Sequence, residues 1–283
     1  MTSRVRKPDW LKVSLASTGN FSEVKKIVQQ HHLHTICTSG KCPNICDCWA
    51  RGTATFMILG EICTRSCKFC NTMTDKPLPI DPNEPDNVAE SIRLMQLKHA
   101  VITSVDRDDL DDLGASHWAA TIKKIKSVNP GITLETLVPD FQGKDHLIDI
   151  IIDARPEIIS HNIETVRRLT PQVRSAAKYD VSLHVLSRIS QSGIITKSGL
   201  MVGLGETEAE VLETMDDLLH AGCSILTIGQ YLQPSRKNIP VSEYVTPEQF
   251  ARYKEIGLQK GFRQVESAPL VRSSYHAENH LQA

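Results

Sequence analysis

The sequence predicts an α/β fold, an incomplete (β/α)6 barrel of the TIM type flanked by N-terminal and C-terminal extensions, and three observations carry that expectation. Six short apolar runs of strand length alternate with amphipathic stretches of helical period, the order that favours parallel strands joined by right-handed crossovers. The residues just after those runs are unusually polar, and a barrel of this type gathers its chemistry where strands end. A chain of 283 residues can bury one core of barrel size. A doubly wound open sheet has the same alternation and is the competing topology, because periodicity alone does not fix closure.

Taken in order, Asn20 followed three residues later by Glu23 has the spacing of a helix cap, and Val24, Ile27 and Val28 give the next helix one apolar edge. Residues 37–51 carry four cysteines among Gly, Pro and Asn, which reads as a loop wrapped around a ligand. Residues 54–59 (ATFMIL) form a buried strand that delivers the chain into the loop beginning at Cys63. Pro77, Pro79, Pro82 and Pro85 then make an extended connector. Helical stretches follow near 87–98, 116–127, 144–154, 164–169, 178–192 and 207–221, with strand-like runs near 100–105, 132–138, 157–162, 196–202 and 224–230. The chain therefore divides into an N-terminal extension (1–53), the barrel (54–235) and a C-terminal extension (236–283), with no internal repeat.

Thirty-two Lys and Arg against 33 acids leave a formal charge of -1, so no bulk electrostatic footprint points to nucleic acid or an anionic membrane. The start of the chain lacks the apolar core of a secretory signal, and no run approaches the roughly 18 apolar residues of a membrane span. The expected location is the cytoplasm. Clustered cysteines in such a chain read as reduced metal ligands and not as a disulfide framework. Cys223, alone, reads as a buried core thiol.

Seven of the eight cysteines lie between Cys37 and Cys70, in two groups. In the second, Cys63-x3-Cys67-x2-Cys70, one short loop can aim three thiolates at one object. A structural zinc site wants four closed ligands and an electron-carrying iron-sulfur cluster usually has four cysteines, whereas three leave one iron open to something that is not protein. A zinc knuckle is the plainer alternative. The first group, Cys37-x4-Cys42-x5-Cys48, also contains Cys46, so spacing leaves open which three bind. After the strands come Asp106-Arg107-Asp108-Asp109, Pro139-Asp140, Asn162 and Glu164, Gly203-x-Gly205-Glu206, and Gln230-Tyr231, all on the expected rim. The acidic run has a plain reading as a solvated face or helix cap, and the glycine pair lacks the rest of a dinucleotide fingerprint. His161, His184 and the pair His31-His32 read as solvated or core hydrogen-bonders, and Met57 and Met201 as core.

The second triplet, with Phe69 ahead of its last cysteine, resembles the signature of the radical S-adenosylmethionine (SAM) superfamily. A wider set resembles the lipoyl-forming branch of that superfamily over about residues 8–280: both triplets, the bridge at 52–60, His161-Asn162-Ile163-Glu164-Thr165, the block at 197–206, residues 229–235 and Arg272-Ser273-Ser274-Tyr275. The resemblance implies two [4Fe-4S] clusters and SAM. Cys63, Cys67 and Cys70 would hold the radical-generating cluster. Cys37, Cys42 and Cys48, with Ser274 as an unusual oxygen ligand, would hold an auxiliary cluster that gives up sulfur, and a hydroxyl is a harder, more exchangeable ligand than thiolate. Ser274 would bring the C-terminal tail over the mouth of the site, with Arg272 holding substrate or the serine loop. Asn162, Glu164, Asp106, Arg107 and Glu206 are the expected SAM contacts. The implied reaction inserts two sulfur atoms, at C6 and C8 of an octanoyl chain amide-linked to a carrier lysine. The implied partners are octanoylated carrier domains (2-oxoacid dehydrogenase E2 subunits and the glycine cleavage H protein), an electron donor such as flavodoxin or ferredoxin, and an iron-sulfur cluster carrier. Cys46 and Lys237-Asn238 depart from the family pattern. Another radical enzyme with an auxiliary cluster, or a non-catalytic electron carrier, are the alternative functions.

Overall fold

The computed structural model describes residues 6–12, 20–31, 33–51, 53–174, 176–275 and 277. His32, one of the paired histidines, lies outside them. In chain order the elements are α1 (Phe21–Gln30), β1 (His34–Thr35), α2 (Ile36–Ser39), α3 (Ile45–Ala50), β2 (Thr55–Ile58), β3 (Ile62–Cys63), β4 (Met73–Thr74), α4 (Glu84–Leu94), β5 (His99–Ser104), α5 (Ala115–Val128), β6 (Thr133–Leu137), α6 (Asp145–Asp153), β7 (Ile158–Ser160), α7 (Thr170–Val173), α8 (Tyr179–Gln191), β8 (Ile195–Val202), α9 (Glu208–His220), β9 (Ile225–Gln230), α10 (Pro247–Lys260) and β10 (Gln264–Ser267).

One sheet has the order β1-β2-β5-β6-β7-β8-β9-β10. From β2 to β10 every pairing is parallel, and β1 alone runs antiparallel, with Thr35 opposite Phe56. The parallel strands have the helices of the alternating pattern between them, as right-handed crossovers require. The strands' outer faces pack on those helices: Phe56, Ile58, Ile102, Ile92, Trp118 and Ile122 are fully buried in one cluster, and each such side chain contributes about 1.5–3 kcal/mol by leaving water. The C-terminal half has its own cluster around Val202, Met215, Ile228 and Phe250.

Three sequence expectations are corrected. The stretch at 164–169 is not helical: Glu164 adopts φ 66° and its backbone exchanges hydrogen bonds with Gly199 and Met201 across 3.0 and 2.9 Å, so it extends the pairing beside β8, and helix is confined to Thr170–Val173. Among the described residues the parallel strands number seven and not six, because α10 and β10 continue the sheet past residue 235. Four residues with alternate burial and one strongly apolar side chain, Val265, give β10 too little pattern to see. Asn20 does hold the cap position of α1, yet its side chain makes no capping bond. No described helix is long and apolar enough to cross a membrane.

The turn after β2 sets up the cysteine loop. Leu59 and Gly60 both have positive φ (67° and 88°), and buried Glu84 accepts hydrogen bonds from their N–H groups at 2.7 and 3.4 Å while His117 bonds the same carboxylate at 2.7 Å. A carboxylate fixed on α4 thus holds the strained reversal that points residues 61–70 across the strand ends.

Candidate active site: two cysteine triplets around one cavity

A cavity of about 500 Å³ opens at the C-terminal ends of the parallel strands. Cys63, Cys67 and Cys70 line it on one side and Cys37 and Cys42 on another. A smaller pocket beside it is lined by Cys37, Cys42 and Cys48 together with Thr55, Arg272 and Ser274. Cys46 lines neither.

The second triplet sits in a loop clamped at both ends. Its first residues pair with β4, Cys63 opposite Thr74, and Asn238 donates to the Cys70 carbonyl at 2.7 Å while Ile239 N bonds the Lys68 carbonyl at 3.1 Å. Asn238, where the sequence departs from the family pattern, therefore holds the cysteine loop by its backbone. Arg65, inside the loop, is buried against three carboxylates: Asp108 at 2.7 Å, Asp140 at 2.9 Å and Asp106 at 3.3 Å. The acidic run is thus no solvated face at Asp106 and Asp108; it is the counter-charge that fixes the loop. Backbone N–H groups of Arg65 and Asp106 both reach the Cys63 sulfur at 3.4 Å.

The first triplet spans α2 and α3. Cys42 N bonds the Cys37 carbonyl at 3.0 Å, and buried Asn44 donates across 2.7 Å to the Leu270 carbonyl, tying this loop to the C-terminal tail. The tail is fixed again at its serines: Asn162 donates to Ser273 Oγ at 2.7 Å, and Thr55 donates to Ser274 Oγ at 2.7 Å. A Cβ at Gly229 would stand 2.2 Å from the Val271 carbonyl oxygen, so the tail's path over β9 requires glycine there. Tyr275 reaches Asp47 of α3 at 3.3 Å with the Arg51 guanidinium 5.7 Å above its ring.

Burial pushes the thiols up, that of Cys63 to about 11 and those of Cys67 and Cys48 to about 12; repulsion from Asp106 adds to the rise at Cys63 and at Cys67, where Arg174 opposes it, and repulsion from Cys37 and Cys42 adds to it at Cys48. The thiolate form needs a cation brought to it, and metal binding must displace these protons. Asp106 is raised chiefly by burial, with Arg65 opposing, and Glu164 likewise, opposed by Arg174.

Asp106, Asn162, Glu164, Arg272 and Ser274 line the large cavity. Arg107 and Glu206 do not. Arg107 is buried in a two-bond pair with Asp109, both at 2.9 Å, and donates to the Leu59 carbonyl; Glu206 closes its own turn by accepting from Gly203 N and Leu204 N. His161 is buried between the Val138 carbonyl and Ser182, and exposed His184 pairs with Asp145. Cys223 and Met57 are buried in the core, whereas Met201 lines the cavity. Sequence reasoning missed Thr55, Arg65, Arg174 and Lys197. Arg65 and Lys197 were visible as charges where none is cheap, one between cysteines and one within an apolar strand. Arg174, buried and bonded to the Ile163 carbonyl and Ser182 at 3.1 Å while facing the cavity, carried no local signal.

The three thiolates of Cys63, Cys67 and Cys70, carried on one loop and lining one cavity, are the donor type that holds an iron-sulfur cluster. Asn162 Oδ1 is buried at the cavity and has no hydrogen-bond partner among the described residues, an acceptor that a bound guest can satisfy.

Fold and site together define a radical SAM enzyme. The radical SAM superfamily model matches residues 57–218, and SuiB from Streptococcus suis, solved bound to S-adenosylmethionine, superposes with a TM-score of 0.60 at 10% identity, over 80% of this chain and 54% of that larger one. Methylornithine synthase (PylB) superposes with a TM-score of 0.53 at 9% identity, over 80% of this chain and 68% of that one; both likenesses concern the fold. The chain belongs to the lipoyl synthase family within that superfamily, being 71% identical to the lipoyl synthase of Parabacteroides distasonis over 99% of this chain and all of that one. The Phocaeicola vulgatus enzyme is 66% identical, over 99% of this chain and 98% of that one, and that of Treponema denticola 60% identical, over 99% and 97%. Superfamily membership implies one [4Fe-4S] cluster and SAM.

Proposed function

We propose that this protein is a cytoplasmic lipoyl synthase whose sheet curves as a partial barrel around the cavity, and that its two cysteine triplets divide the work. The observation that carries this reading is that Cys63, Cys67 and Cys70 line one cavity with Cys37, Cys42 and Ser274, and that Cys48 joins those last three in the smaller pocket beside it. Cys63, Cys67 and Cys70 hold one [4Fe-4S] cluster; Cys37, Cys42 and Cys48, with Ser274, hold an auxiliary one. When bound, the first cluster and SAM supply the radical that removes hydrogen from C6 and C8 of the octanoyl chain, and the auxiliary cluster supplies the two sulfur atoms.

The chain's own residues position and shield. Asn162, with its unfilled acceptor, Glu164 and Asp106 offer polar contacts to the adenosyl ligand, and Arg174 offers a cation beside them. Leu137, Val138, Leu200 and Met201 give the cavity an apolar side for the octanoyl chain. Arg272, half-buried above Gly229, sits where the tail meets the first triplet and steadies the serine loop. Holding both sites on one cavity keeps the reacting carbon within reach of each in turn. The partners are octanoylated carrier domains of 2-oxoacid dehydrogenase E2 subunits and the glycine cleavage H protein, a reductant such as flavodoxin or ferredoxin, and a cluster carrier. Anaerobically reconstituted protein incubated with SAM, dithionite and an octanoylated carrier peptide should yield 5'-deoxyadenosine and lipoylated peptide; SAM cleavage with no sulfur insertion into any octanoylated carrier would refute the proposal.

A further inference from the structure

We propose that Lys197 is the positioning residue for Ser274: its ammonium, anchored inside the sheet by Glu135, fixes the Ser273 carbonyl and thereby decides which serine faces the first triplet. The inference rests on the reading above that Ser274 is the oxygen ligand of the auxiliary site.

Lys197 lies within β8 and Glu135 within β6, two strands away in the same sheet, both side chains fully buried, with Nζ and Oε1 2.6 Å apart. Ser160 of β7, between them in the sheet, donates to the same oxygen at 3.0 Å. A buried ion pair is weak support for a fold, since apolar residues of like volume do as well or better. The informative contact is therefore the second one. The ammonium has three donors and no acceptor, and one of them reaches the Ser273 carbonyl oxygen at 2.5 Å, 76 positions along the chain.

Ser273 is thus gripped from both ends. Lys197 holds its carbonyl and Asn162 its hydroxyl, the latter at 2.7 Å. With Ser273 turned into the large cavity, the next side chain is presented to the pocket that Cys37, Cys42 and Cys48 share, and Ser274 lines that pocket while Ser273 does not. Two adjacent serines are chemically equivalent, so sequence cannot choose between them. A backbone carbonyl pinned by a buried charge can.

The test uses the reconstituted holoenzyme carrying Lys197→Met with Glu135→Gln, a pair that removes both charges at once and leaves Ser160 an acceptor. Circular dichroism and iron content report folding, and the ⁵⁷Fe Mössbauer spectrum is compared with those of wild type and of Ser274→Ala. The expected result is wild-type iron, a spectrum shifted toward that of Ser274→Ala, unchanged 5'-deoxyadenosine formation, and lipoyl yield lowered about tenfold, as for one lost charge-assisted hydrogen bond. Adding Ser274→Cys should keep the wild-type iron count and give an all-thiolate spectrum, since a stronger iron ligand needs less positioning. Should the double variant not fold, Lys197→Met with Glu135→Met, an apolar pair of like volume that leaves neither charge stranded, takes its place; it should lower lipoyl yield without changing SAM cleavage. A folded variant with the wild-type spectrum and yield overturns the role of Lys197. If Ser274→Ala itself leaves the spectrum unchanged, the serine-ligand reading fails first and this inference falls with it.

Discussion

Thr55 Oγ1 stands 2.7 Å from Ser274 Oγ and donates a hydrogen bond to it, joining the first parallel strand to a residue 219 positions later. The contact closes the C-terminal tail over the pocket of the first triplet. Ser274→Ala should leave SAM cleavage intact and stop carbon-sulfur bond formation, while Thr55→Val, losing one bond worth about 1 kcal/mol, should lower lipoyl yield severalfold. Mass detection of 5'-deoxyadenosine and lipoylated peptide measures both. Lipoyl formation by Ser274→Ala at the wild-type yield would remove the serine from the site.

Cys46 stands in α3 two residues before Cys48 but lines neither cavity. Cys46→Ser should therefore keep full iron content and activity. Loss of one cluster's iron in that variant would mean that the ligand set of the first triplet has been misassigned.

The strand-helix alternation was legible because each unit repeats a strong pattern, and both triplets were legible because three cysteines at short spacing have few uses. What holds them was not. Arg65 meets Asp140 across 75 positions and Asn44 meets the Leu270 carbonyl across 226, and no local pattern records such a partner. Arg107 and Glu206 sit at strand ends as rim residues should, yet each is consumed by its own loop, through Asp109 and through the Gly203 turn. Rim position gives proximity to a site; side-chain direction depends on the backbone turn, which sequence specified poorly there.

Arg65→Ala should strand Asp106, Asp108 and Asp140 beside one another, and breaking a buried pair of this kind costs about 3–5 kcal/mol. A lower melting temperature and loss of iron from the second triplet are expected, with Arg65→Lys recovering part of both because charge returns without the bidentate geometry. An unchanged melting curve for Arg65→Ala would show that the network does not hold the loop.

His161 is buried neutral, its pKa lowered from 6.5 to about 4 by desolvation first and by the Arg174 charge second. The unfolded chain then binds more protons than the folded one between those values, so stability falls as pH drops from 6.5 toward 4. Between pH 7 and pH 5 the loss from this group is about 2 kcal/mol. Urea unfolding of the reduced apoprotein at the two pH values should show a difference that shrinks in His161→Asn; an identical difference in the variant would assign the pH dependence to other groups.

The central claim is that the triplets fail at different steps. Cys67→Ala should abolish 5'-deoxyadenosine formation, because SAM is then neither oriented nor near its electron. The most direct measurement is a single anaerobic turnover of Cys42→Ala, first shown by circular dichroism and iron analysis to be folded with about half its iron, since metal binding can itself be folding energy. The account predicts 5'-deoxyadenosine with no lipoylated peptide, whereas sulfur insertion at the wild-type yield would show that the auxiliary cluster assigned to the first triplet is not the source of sulfur.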